Sequence, residues 1–309
     1  MRSLSDSFMH DLTDHDGSLF PILTRVQNDQ TLMPAIRDGY INLYYRGGNL
    51  VRVSEKHTGT YEATFDENYN IAGAVLSQCP QFIQNQQDTM QWVKSFSQRK
   101  EWMNTYFAIH EKPEREFQQV VVRENNVSTV SNAGEYFIVD IEAVYAKLSA
   151  RFDMLAIRWP AGSRNSVAHC RPALIEMKYG DEALDGTSGI LKHLQDMESL
   201  IANRSHYETL LESMSVQFEQ LYELELFKFN RSKNSRPMKL AVGLKPEVIF
   251  LFANHNPRSM KLKNILASPE CSAYQYSELF DLRFFVSSFA GYTMHSRNMK
   301  TLNEIIEML

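Results

Sequence analysis

The alternation of apolar and polar positions is most regular in the second half of the chain. Tyr136 to Ile141, Arg151 to Ile157 and Ala173 to Tyr179 are short runs rich in aromatic and branched residues, as strands are. Val248 to Ala253 is wholly apolar and predicts a buried strand, and Arg283 to Ser288 predicts another. Between these runs the apolar positions take helical spacing. Pro113 to Arg123 places a proline in the first turn and Glu114 and Glu116 at the positive end of the dipole. Further helices are predicted over Ile190 to Asn203, His206 to Lys228, Arg258 to Leu266 and Thr301 to Leu309. The order helix–strand–strand–strand–helix–strand predicts an α/β protein with a mixed central sheet flanked by helices.

Upstream, Tyr40 to Tyr45 and Asn49 to Val53 flank Arg46-Gly47-Gly48 and predict a β-hairpin, with a further strand over Thr60 to Phe65. Residues 1–35 read as irregular, with Pro21 and Pro34 as breakers. The glutamine-rich stretch Gln78 to Gln91 alternates with Phe82, Ile83 and Trp92 and leads into amphipathic Met90 to Phe107, so a helix is expected there.

Composition narrows the class. With 309 residues the chain suits one large domain or two modest ones. Hydrophobic residues at 43% and charged residues at 22% exclude a disordered chain. A net charge of -5 excludes a globally basic protein that coats nucleic acid, so any such site must be a local patch. Cys79, Cys170 and Cys271 are far apart; they form neither a disulfide framework nor a zinc knuckle, and free thiols in a reducing compartment are expected. The start of the chain is acidic at Asp6, Asp11, Asp14 and Asp16 and lacks an apolar targeting core. A cytoplasmic protein with no membrane partner is the expectation.

The candidate chemistry lies in the third predicted strand. Residues two apart on a strand share a face, so Glu176 and Lys178 project together, opposite Ile175, Met177 and Tyr179. If the preceding strand pairs with it as a hairpin, Asp153 can stand beside Glu176. Two carboxylates and an ammonium on an apolar sheet suit a hard divalent cation such as Mg²⁺. Taken alone, Glu-x-Lys on a strand is an ordinary ion pair; the joint arrangement is what carries information.

These residues, Phe152-Asp153 and Ile175-Glu176-Met177-Lys178, resemble the PD-(D/E)XK nuclease superfamily, with its restriction-endonuclease-like fold. The resemblance spans residues 111–255, with Phe152 at the position where the family often has proline. It implies a nuclease-like domain over 106–309 and a smaller, β-containing accessory domain over 1–105 that bears the hairpin. It implies that Asp153 and Glu176 bind Mg²⁺ or Mn²⁺ and that Lys178 is catalytic. By the same carry-over Glu116, on the preceding helix, adds an acid, and Gln195, on the following helix, a polar contact. The implied activity is metal-dependent hydrolysis of phosphodiester bonds in nucleic acid, most of all DNA, within a homo-oligomer or a defence or repair complex. The alternative is a catalytically inactive module of the same fold that binds nucleic acid or protein.

Several other features are weaker. Asp140 and Glu142 share a face of their strand, opposite Phe137, Val139 and Ile141; Glu142 either joins the acidic cluster or is an ordinary exposed residue, the simpler reading. Asp181 to Gly189 can approach a phosphate backbone, or can simply connect strand to helix with Thr187 or Ser188 as the cap. His193 reads as a structural hydrogen-bonding group. Between Lys228 and Lys263 nine basic residues face one acid, Glu247, which suits phosphate contact or a solvated basic loop. Arg46, with Tyr44 and Tyr45, could contact bases or phosphate, although a plain hairpin is simpler.

Overall fold

The computed structural model describes residues 1–71, 73, 79–145, 150–232, 235–256, 259–287 and 294–309. The chain forms two compact units, Met1–Gln119 with Glu219–Leu226, and Val120–Phe218 with Phe227–Leu309. Among the described residues no helix is long and apolar enough to cross a membrane. Cys170 and Cys271 are buried free thiols, and Cys79 is a half-buried one.

The first unit opens with helices α1 (Asp6–Thr13) and α2 (Phe20–Gln27), where an irregular segment was expected. Pro21 sits in the first turn of α2, where its missing N–H costs nothing. Pro34 lies in the edge strand β1 (Leu32–Ile36), a position that tolerates proline. Neither proline breaks its element. The antiparallel meander continues through β2 (Tyr40–Tyr45), β3 (Gly48–His57), β4 (Thr60–Thr64) and β5 (Phe82–Ile83). It buries Ile36, Leu43, Val51, Val53 and Tyr61 beside Phe96 and Met103 of α3 (Gln86–Ile109).

The first unit extends beyond residue 105 because α3 runs on to Ile109 and the start of α4 (Pro113–Asn126) grips the hairpin tip. The Arg46 guanidinium donates to Glu116 at 2.6 Å and to Asn104 at 3.1 Å, while the Gly47 N–H donates to Gln119 at 2.8 Å. Tyr45 Oη also reaches Asn104. Both charge and aromatic hydroxyl at the tip are thus used within the unit, as in a plain hairpin. Gly47 has φ +72, and a Cβ there would lie 2.4 Å from Arg115 Cβ. Gly47→Ala should therefore lower stability by about 1–3 kcal/mol, read from a urea midpoint. The later segment belongs here because Gln220 exchanges two hydrogen bonds with the Leu4 backbone.

The second unit is built on a mixed five-stranded sheet. β6 (Tyr136–Tyr145), β7 (Ala150–Arg158) and β8 (Arg171–Tyr179) form an antiparallel meander. After α5 (Ile190–Ala202) and α6 (Arg204–Glu223) the chain returns as β9 (Glu247–Ala253), parallel to β8. After α7 (Met260–Leu266) and α8 (Pro269–Ser272) it adds β10 (Asp281–Val286), parallel to β9, and ends with α9 (Leu302–Met308). Val248 to Ala253 are all buried in β9, as the apolar run predicted, and Glu247 at its start is buried as well.

The two ends of this sheet differ in chemistry. Where β8, β9 and β10 begin, charged side chains cross-link the strands. The buried Glu247 accepts from Tyr136 Oη at 2.7 Å and from Arg158 at 2.8 Å, and Asp281 accepts from Arg171 at 2.6 Å and pairs with Lys245 at 3.0 Å. Burial and the adjoining Glu247 carboxylate push the Tyr136 phenol well above its ordinary range, so it remains a donor. Every strand of the sheet contributes to this lattice or is bracketed by it. The opposite end, where the parallel strands finish, carries the candidate site.

Candidate functional site

The β7–β8 ladder runs from Arg158 paired with Arg171 to Met154 paired with Ile175, and there it stops. Continuing that register by one residue sets Asp153 across from Glu176, on the same face of the sheet. The Met177 N–H, freed from the ladder, donates instead to Asp153 Oδ2 at 2.8 Å. Asp153, Glu176 and Lys178 are 6%, 3% and 3% exposed, so three charged groups are held in an otherwise apolar layer. A buried charge persists only where it is paired.

Lys178 Nζ lies 2.8 Å from Glu176 Oε1, and His193 Nε2, from the first turn of α5, lies 2.9 Å from the same oxygen. Burial pushes the Glu176 carboxyl up. The hydrogen bond from His193 and the charge of Lys178 more than offset it, leaving the group below its ordinary value and ionised near neutrality. Among the described residues, Glu176 Oε2 takes part in no hydrogen bond.

His193 was expected to make a structural hydrogen bond; that bond goes to the central carboxylate. Gln195, the helix residue implied by the family resemblance, is exposed. Two residues turn a helix by about 200°, so Gln195 and His193 stand on opposite sides of α5. Glu116 belongs to the first unit, where Arg46 occupies both of its oxygens.

Asp140 and Glu142 also fall differently from the alternation in the sequence. A bulge between Ile138 and Asp140 shifts the register, so that Phe137 faces Ile157 and Asp140 faces Leu155. Those partners are two apart, so Phe137 and Asp140 project to one face rather than opposite faces. Asp140 is fully buried and accepts from Gln217 at 3.0 Å and from the Ile141 N–H. Glu142, at φ +46, pairs with the exposed Arg151 at 2.9 Å and keeps only 14% of its side chain exposed, so it is not an ordinary exposed residue. Among the described residues no three His, Cys, Asp or Glu side chains gather as a metal cage.

The N-cap position of α5 falls on Gly189 rather than on Thr187 or Ser188. Gly189 has no side chain with which to cap the helix, and a Cβ on it would meet Asp185 Cα at 2.5 Å. The side chain of Ser188 lies outside the described residues. His255, just beyond β9, is buried with Nδ1 3.8 Å from Asp181 Oδ1. Burial lowers its imidazole against the opposing pull of Asp181.

The basic segment does not form a single field. β9 divides it, and a seven-residue strand spans about 20 Å. Lys228, Arg231, Arg236, Lys239 and Lys245 precede β9, and of these Arg231 and Lys245 lie toward the cross-linked end of the sheet. Arg231 lies over the Trp159 and Phe218 rings, and Lys245 pairs with Asp281. Lys261 and Lys263 follow β9, toward the candidate site, and Lys261 is paired with Asp185 at 2.9 Å. Lys233 and Arg258 lie outside the described residues. No family model, curated protein or solved structure matches the chain.

Proposed function

We propose that the chain is a divalent-metal-dependent nuclease of the PD-(D/E)XK kind, acting on DNA through Asp153, Glu176 and Lys178. The observation that carries this reading is the buried Glu176–Lys178 pair, with Asp153 bonded to the intervening Met177 N–H where the β7–β8 ladder ends. The helix, antiparallel meander, helix and parallel strand that surround it are consistent with a restriction-endonuclease-like core.

Asp153 and Glu176 offer hard oxygen donors, one of them an oxygen without a hydrogen bond among the described residues. Mg²⁺ needs only one or two carboxylates besides water and phosphate, so the residues present fit it or Mn²⁺. When bound, such a cation acidifies water and withdraws charge from a phosphodiester. Lys178 contributes a fixed ammonium beside the reacting phosphate, where it stabilises negative charge as it develops and orients the attacking water. Asp153 accepts from the Met177 N–H and so ties β7 to β8 where their backbone ladder has ended.

A binding module without catalysis is the second reading. Its support is that Asp153 Oδ2 and Glu176 Oε1 are already engaged by the chain itself. Incubating the protein with supercoiled plasmid, linear duplex and single-stranded RNA, each in Mg²⁺, Mn²⁺ or EDTA, separates the two. The nuclease reading expects metal-dependent cutting of DNA; salt-sensitive binding without cutting would leave the module.

A further inference from the structure

We infer that His193 is a positioning residue that fixes Glu176 as a one-oxygen ligand, with Oε1 anchored and Oε2 presented to the divalent cation. The inference rests on the nuclease reading above. Both donors converge on Oε1, Lys178 Nζ at 2.8 Å and His193 Nε2 at 2.9 Å. A carboxylate held at one oxygen by a single donor from its own strand can still turn about its terminal bond, whose torsional profile is broad. The imidazole approaches from another element and is a rigid ring, so the two donors together set the plane of the carboxylate. Oxygens so fixed bind a cation without first losing rotational freedom, the benefit that outer hydrogen-bonding partners give to metal ligands.

The position of His193 suits this task. It stands one turn into α5, whose Ile190, Leu194 and Met197 are buried and hold the helix in place. Its own side chain is 22% exposed, so His193→Gln, of similar size, is the control for packing lost on truncation.

Titration of Mn²⁺ into the full chain by calorimetry tests the inference, with wild type, His193→Ala and His193→Gln compared. His193→Ala should bind Mn²⁺ about tenfold to a hundredfold more weakly. His193→Gln, which keeps an N–H donor, should recover most of that affinity. Cleavage by His193→Ala should return at saturating Mn²⁺, since the residue acts through Glu176 and transfers no proton. Mn²⁺ bound as tightly or more tightly by His193→Ala than by wild type would overturn the inference, as would turnover lost even at saturating metal. Failure of wild type to bind Mn²⁺ at all would instead strike the nuclease reading, and this inference with it.

Discussion

Replacing Lys178 with methionine will abolish most cleavage, by about a hundredfold to a thousandfold, while the protein stays folded at low temperature. The size follows from the loss of a preorganised charge in a water-poor site, where one donor is worth far more than in solution. Lys178 is 3% exposed and its ammonium donates to Glu176 at 2.8 Å, so methionine keeps the bulk and removes the charge with its hydrogen bonds. His193 continues to hold Glu176, and metal affinity should fall far less than turnover. A melting curve beside the cleavage assay separates lost chemistry from lost structure. Full activity in Lys178→Met would remove Lys178 from the mechanism.

The second large effect is on stability alone. Glu247→Leu should cost about 3–5 kcal/mol, because it leaves the Arg158 charge and the Tyr136 hydroxyl without their shared buried acceptor. Arg158 keeps its longer contact with Glu135, at 3.3 Å, and its place over the Tyr136 ring. Glu247 starts β9, whereas the candidate site lies where the parallel strands end. Urea unfolding should therefore shift strongly in this variant while cleavage at low temperature remains close to wild type. Equal loss of both would mean that the sheet transmits the damage along its length.

What could be read from the sequence depended on how local the responsible physics is. The period of a strand is two, so Glu176 and Lys178 could be placed on one face without coordinates, and their ion pair follows from it. The fully buried strand at Val248 to Ala253 was legible from its apolar run for the same reason. The azimuth of α5 over the sheet was not legible. Helical spacing says that His193 and Gln195 diverge, but not which of them faces β8. Register shifts are equally silent: nothing in Ile138-Val139-Asp140 announces the bulge that carries Asp140 onto the face of Phe137. Pro21 and Pro34 were legible only as residues of fixed φ, and both fit their elements. In the basic stretch from Lys228 to Lys263 the predicted strand comes between Lys245, which pairs with Asp281, and Lys261, which pairs with Asp185, a division that linear charge density conceals.

Cleavage of supercoiled plasmid by wild type and Glu176→Gln, in Mn²⁺ and in EDTA, tests most directly whether this end of the sheet is a metal-dependent nuclease centre. Nicked or linear product is expected with wild type in Mn²⁺ only, and none with Glu176→Gln in either condition. Intact plasmid with well-folded wild type in Mn²⁺, or cutting by Glu176→Gln at the wild-type rate, would contradict it.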